Sequence, residues 1–368
     1  MKTPDIAAYY YPGWHYCQVR NASFPKDWTE WELVYNAIPR FEGHEQPNIP
    51  VWGKYNESDP AVFDQKVKSA RDYGVDVFVF AHYWSRGKIL LESALKEGFL
   101  KSSSADDFKF AVFWANRMPR KVLPVKDTKA SVIDTSRLVY TDPDDFLKYI
   151  VYLAENFFFR KNYYRINEKP YLSIFDTSFF LTQLGVDRAA STISEAKKYL
   201  ESRGLGGMHL CAIDPVAKYT PLLKEIGFES ITHYVNLPDW KGDYQQDFVA
   251  SARNKSEKWG ELSSLSGLPY TPSVSPGWDA TPRSSEFGKE KSRKYPWWPI
   301  VTGRSPDHFK SVVKEALEFN FSHCATSLPV FIASWNEWSE GHYLEPDEKY
   351  GFAWLDAVRQ AKVNFQKK

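Results

Sequence analysis

Two glutamates, Glu337 and Glu340, lie three residues apart in the segment SWNEWSEGHYLEPD, Ser334–Asp347. On a helical turn, residues at i and i+3 share a face, with Cβ atoms about 5–6 Å apart. Carboxylates that close raise one another's proton affinity. One then holds a proton near neutral pH while the other is charged. Cleavage of a glycosidic bond needs such a pair: an acid for the leaving oxygen, and a base or nucleophile for the second role. Gly341 would let the chain turn sharply behind the pair. Asn336 could orient a glutamate or a sugar hydroxyl. The plainer alternative is a surface turn with two solvated glutamates, but Trp335 and Trp338 flank the pair directly. Glu345, Asp347 and Glu348 read mainly as structural or rim charges.

Positioning this segment requires a scaffold, and the chain has a repeating one. Eight apolar runs recur: Ile6–Trp14, Val75–Trp84, Phe108–Asn116, Pro170–Asp176, Met208–Asp214, Ser230–Val235, Tyr270–Asp279 and Leu328–Trp338. Most are continuous rather than alternating, as expected of parallel strands covered on both faces. Between them lie helix-like stretches. Asp59-Pro60, Asp142-Pro143 and Ser305-Pro306 each pair an N-cap residue with a first-turn proline. Asp187–Arg203, Pro221–Gly227 and Phe352–Phe365 are further helix candidates. Strand then helix, eight times, predicts an α/β fold: a single (β/α)8 TIM barrel over residues 1–368. A doubly wound open sheet is the alternative, but no Gly-rich phosphate loop follows the first strand. Long segments follow the strands after Trp14, Asn116 and Asp279, whereas returns such as Gly74 to Val75 are short. That asymmetry marks the C-terminal face as the active one.

The strand ends supply the candidate sugar contacts: Tyr11, His82, Tyr83, Trp84, Trp114, Asn116, Trp278, Asp279, Arg283, Trp335 and Asn336. Pyranose rings present apolar C–H faces suited to Trp and Tyr, ringed by polar groups for the hydroxyls. The chain is 17% aromatic, with 14 Trp and 22 Tyr, more than a core alone requires. Trp28, Trp31, Trp52, Tyr295, Trp297 and Trp298 would extend that surface into a cleft, or else anchor their own loops.

Other classes are disfavoured. Lys and Arg number 47 against 46 Asp and Glu, so a basic nucleic-acid protein is not expected. No run of 18 apolar residues suggests a membrane span. Lys2 is followed by Pro4, Asp5 and a strand, which is not a secretory signal. The compartment stays open between cytoplasm, periplasm and cell surface. Cys17, Cys211 and Cys324 fit no disulfide or metal spacing, and no HExxH occurs. No metal or other cofactor is expected. The partner is an oligosaccharide or polysaccharide, and the oligomeric state is left open.

These segments also resemble a family. WNEWSEG-HY-LEPD is similar to a motif of the WbsX-type proteins, which are akin to glycoside hydrolase family 99. FVFAHYWSRGKILLE, FWANR and SPGWDATPR follow the same order, so the resemblance runs from Tyr9 to Leu355. It implies a barrel cleaving α-mannosidic linkages within glycans, with retention. By its motif, Glu337 would deprotonate the sugar 2-hydroxyl, which attacks the anomeric carbon to form a 1,2-anhydro sugar. Glu340 would be the general acid/base. This is a substrate-assisted exception to the usual two-carboxylate scheme. Arg117 and Ala280 depart from the family's Glu and Asn, so the resemblance leaves the identity of the sugar open. Arg117 and Arg283 could favour an acidic sugar. A glycosyltransferase and a non-catalytic carbohydrate-binding barrel are the alternatives, although no Rossmann site or strand-end DxD motif is apparent.

Overall fold

The computed structural model describes residues 3–18, 24, 27–116, 139–235, 238–287, 292–324 and 328–367. Within them, eight parallel strands form a nearly closed (β/α)8 barrel. They are β1 (Ile6–Tyr10), β2 (Val77–Ser85), β3 (Lys109–Trp114), β4 (Lys169–Ile174), β5 (His209–Ile213), β6 (Ser230–Thr232), β7 (Ser273–Val274) and β8 (Val330–Ile332). Their order is 7-8-1-2-3-4-5-6. A single bridge, Ile231 to Tyr270, joins the end strands, where Thr271 N donates to Ile231 O at 2.9 Å. Each strand coincides with one of the apolar runs read from the sequence, with β2 passing its run by one residue at Ser85 and β4 starting one residue early at Lys169.

The three proline-marked helix starts form as the sequence predicts. Pro60–Asp72, Pro143–Leu153 and Pro306–His323 begin at Asp59, Asp142 and Ser305, whose side chains accept from Ala61 N, Asp145 N and His308 N. Each cap satisfies a donor that the first helical turn leaves orphaned. The second strand–helix unit differs from expectation. It has a π-turn, Ala94–Gly98, and a short 3₁₀ turn in place of an α-helix. Gly98 packs so closely there that a Cβ would lie 2.0 Å from Glu57 O.

Strand parity decides what reaches the barrel lumen, because successive side chains point to opposite faces. Tyr9, Phe113 and Phe331 point inward: Tyr9 stacks on Phe331 at 5.0 Å and meets Phe113 edge-on at 5.3 Å. Tyr234, just past β6, closes on Tyr9 at 4.9 Å. These rings form a floor below the C-terminal mouth. The next residue on each strand points outward. Tyr10 packs on Phe78 and Phe80, and Trp114 on Phe146 and Tyr149, between sheet and helices.

Candidate active site

The glutamate pair is built by a tight hairpin. Asn336–Glu337 pairs antiparallel with His342–Tyr343, and Trp338–Glu340 makes one 3₁₀ turn at its tip. Residues three apart eclipse on such a turn, so both carboxylates emerge on one side. Ser334 Oγ locks the base, accepting from Glu337 N at 2.9 Å and donating to His342 O at 2.8 Å. Gly341 ends the turn with φ +68°. A Cβ there would sit 2.8 Å from Asp279 N, the group that donates to Glu340 O. Gly341→Ala is therefore expected to cost about 1–3 kcal/mol in urea unfolding. An unchanged midpoint would show that the hairpin absorbs the strain.

One guanidinium organises the pair. Arg283 Nη2 lies 3.2 Å from Glu337 Oε2, while Nη1 bonds Glu340 Oε1. Nη2 also reaches Glu30 Oε1 at 3.2 Å, and Nε donates to Ser339 Oγ at 2.9 Å. Glu340 is further held by Tyr295, whose hydroxyl donates at 2.7 Å, and by His342 Nε2 at 3.3 Å. Burial keeps the His342 imidazole below its ordinary range, hence neutral and donating to the carboxylate. Trp278 stacks on His342 at 5.6 Å.

The two carboxylates are pushed in opposite directions. Burial drives Glu337 well above the usual carboxylate range. Arg283 opposes this, the charges of Glu340, Glu30 and Glu57 add to it, and burial with these charges outweighs the arginine. Burial acts on Glu340 too, but Arg283, His342 and Tyr295 more than offset it and hold that group below the usual range. One proton on the pair therefore resides on Glu337. That is the reverse of the resting state the resemblance would suggest, with Glu340 as the acid.

The sequence-predicted contacts divide by strand parity. Glu337, Glu340, Arg283, Tyr83, Tyr11 and Trp278 come together. Tyr83 points into the mouth, where burial first and Glu337 next raise its phenol. Tyr11 donates to Glu30 at 2.5 Å. His82 and Trp84 do not join them: they stand on the outward face of β2, where His82 bonds Glu92 and Trp84 bonds Asp145. Trp84 also borders a cavity of about 550 Å³ that none of the pair's partners lines. Trp114 and Trp335 are likewise outward, with Trp335 against Phe78 at 4.8 Å. Asn116 clamps the Asp176 backbone, and Asn336 braces the Tyr11 backbone and Glu57. The Asp279 carboxylate turns away to His44 and Gln46. Burial raises it, yet those hydrogen bonds bring it down to about 2. Arg117 lies outside the described residues. Arg283 is engaged by three carboxylates, Glu30, Glu337 and Glu340.

Most loop aromatics are anchors rather than cleft walls. Trp28, Trp31, Trp297 and Trp298 are buried, and Trp31 packs with Trp14, Tyr11, Trp338 and Tyr343 in a cluster under the hairpin. Of the six, Tyr295 reaches the pair, donating to Glu340. Glu345 and Asp347 are buried while Glu348 is exposed, so only the last is a rim charge. Sequence reading missed Glu30. Its signal was present, because Trp28-Thr29-Glu30-Trp31 repeats the W-x-E-W pattern of Trp335–Trp338. Among the described residues no group of three or more His, Cys, Asp and Glu could hold a metal, and no helix is long and apolar enough to cross a membrane.

In fold, the barrel is similar to those of solved glycoside hydrolases. A solved glycoside hydrolase-like protein superposes with a TM-score of 0.65 at 16% identity, over 98% of this chain and 94% of that one. A GH99 endo-alpha-mannosidase from Bacteroides thetaiotaomicron, solved with BIS-TRIS-propane, superposes with a TM-score of 0.63 at 14% identity, over 100% and 99%. At these identities the likeness is one of fold. The chain belongs to the family described as Glycosyltransferase WbsX, whose model matches residues 6–358. It is 28% identical over 374 residues to the uncharacterized protein WxcX of Xanthomonas campestris pv. campestris, with 97% of this chain covered. It spans about half the length of that relative, 49%.

Proposed function

We propose that the chain is a retaining, endo-acting glycoside hydrolase, one barrel that cleaves an α-linked, mannoside-like oligosaccharide or polysaccharide. The observation that carries this reading is the buried Glu337–Arg283–Glu340 bridge at the C-terminal mouth of the barrel. In the step the family suggests, Glu337 takes the proton of the sugar 2-hydroxyl. That oxygen closes on the anomeric carbon as the glycosidic C–O bond breaks, and Glu340 gives its proton to the departing oxygen. Water then opens the 1,2-anhydro ring at the anomeric carbon: Glu340 takes the proton of the water as the bond from that carbon to the 2-oxygen breaks, and Glu337 returns its proton to the 2-oxygen. No bond to the protein forms.

The resting proton must change places for these roles. A glycan oxygen entering beside Glu340 would displace Arg283 from it and raise its proton affinity, while Glu337 gives its proton up. Both singly protonated forms carry the same number of protons, so the pair titrates as a unit. Its working form is lost as pH rises through the raised Glu337 value and as pH falls through the lowered Glu340 value. The kcat/KM profile is therefore expected to be a broad plateau reaching well to either side of the ordinary carboxylate range. A single ionisation at about the free glutamate value of 4.3 would contradict the assignment.

Substrate is tested with a panel of α-mannans and other bacterial and host glycans, with products sized. Oligosaccharide products would support endo action, monosaccharides alone would exclude it, and no cleavage of any glycan would remove the hydrolase reading. The family's description favours a second reading, glycosyl transfer in polysaccharide synthesis. It predicts nucleotide-sugar binding, and a flat calorimetric titration would count against it.

A further inference from the structure

Glu30 enters the site from a loop and has no part in the chemistry above, yet it touches the groups that set the pair. Its Oε1 accepts from Ser339 Oγ at 2.6 Å and from Arg283 Nη2 at 3.2 Å. Its Oε2 accepts from Tyr11 Oη at 2.5 Å. Its side chain is 3% exposed. The same Arg283 nitrogen contacts Glu337 Oε2, so Glu30 and Glu337 share one donor. Ser339 is the residue just before Glu340, and its hydroxyl is tied to both Glu30 and Arg283 Nε.

We propose that Glu30 is a positioning residue for the glutamate pair: it tethers the Arg283 fork between Glu337 and Glu340 and holds a third negative charge beside Glu337. This rests on the hydrolase reading only for its kinetic consequence. The tether has a physical need. A guanidinium free to settle fully between two carboxylates would stabilise both as ions and leave no proton on the pair. Glu30 draws part of that charge away. Three carboxylates on one arginine retain a proton more readily than two.

The other groups that face Glu337 are the Glu340 and Glu57 carboxylates, Tyr83 from β2, and Tyr234 from the segment after β6. None of these is a cation, so among the described residues the balance of Arg283 against Glu30 sets the charge around Glu337. Removing the Glu30 charge acts on Glu337 twice with the same sign. It takes away a repelling anion, and it leaves Arg283 freer to favour the ionised form. The proton of the pair is then lost at lower pH.

The test compares Glu30→Gln, Glu30→Asp and Ser339→Ala. In Glu30→Gln the alkaline limb of kcat/KM should move about one pH unit lower, with a plateau roughly 10- to 100-fold down from misplacement of the pair. Glu30→Asp should restore the limb. Ser339→Ala keeps the charge and should leave the limb in place. A limb that stays put in Glu30→Gln, or moves equally in Ser339→Ala, overturns the proposal. A second readout does not depend on turnover: ¹³C NMR titration of side-chain-labelled glutamates, with the Glu337 resonance assigned by Glu337→Gln. A lower Glu337 midpoint in folded Glu30→Gln supports the role of Glu30 even if no glycan is cleaved. An unchanged midpoint refutes it even if one is.

Discussion

Replacing Glu340 with glutamine is expected to lower kcat on a natural glycan by about 10²–10⁴-fold, the usual contribution of a general acid. Substrate affinity should stay within a few-fold, because glutamine can keep the hydrogen bond from Tyr295. The loss should shrink on glycosides with leaving groups that depart without a proton, such as dinitrophenolate. Glu337→Gln should lose activity on every leaving group, since the 2-hydroxyl still needs its base. The comparison discriminates because the free site holds its proton on Glu337. If that distribution persists with sugar bound, the pattern inverts: Glu337→Gln is rescued by a good leaving group and Glu340→Gln is not. Unaltered hydrolysis by Glu340→Gln on all substrates would remove Glu340 from the chemistry.

The largest effect on stability is expected from Lys66→Met. Lys66 is fully buried, 3.0 Å from Glu57 and 2.9 Å from Glu345, with Tyr10 Oη at 2.7 Å. Around this ion the two carboxylates organise the base of the site. Glu57 accepts from Asn336 Nδ2 at 2.8 Å and from Trp14 N at 3.1 Å. Glu345 accepts from Trp335 and Trp338 Nε1 at 2.8 and 2.7 Å. Removing the cation leaves two uncompensated carboxylates in the interior, which costs about 3–5 kcal/mol. The sign with pH follows. Burial already holds Glu345 above the usual carboxylate range against the pull of Lys66, so without the cation that acid is tolerated when protonated, and the penalty should grow from pH 5 to pH 7. Urea unfolding at the two pH values measures it. The exposed Lys68–Asp72 pair on the same helix is the contrast. Lys68→Ala should change stability by less than about 1 kcal/mol. Equal losses in the two variants would mean that the buried cation has no special role.

Much of this organisation is legible along the chain because its causes are local. Apolar runs of strand length, the Asp-Pro and Ser-Pro helix starts, and short returns against long strand-to-helix loops all predict the barrel and its working face. The pair is legible for the same reason: three residues of spacing and a glycine that takes φ +68° make one turn. The aromatic surplus was the misleading signal. Trp114 and Trp335 sit at strand ends as a sugar platform would, yet they pack under the helices.

Tertiary structure decided the rest. In the run VFVFA that opens this strand every position is apolar, so no alternation shows which residues face the lumen. Pairing register sets it, and one step separates Tyr83 in the mouth from His82 and Trp84 behind the sheet. Register also brings Arg283 within reach of Glu30, 253 positions away. The direction in which each glutamate is pushed depends on that meeting. Two carboxylates three apart say that one proton is shared. Only the placement of Arg283, Tyr295, His342 and Glu30 around them says which one holds it, because Coulombic and hydrogen-bond effects depend on distance in space rather than along the chain.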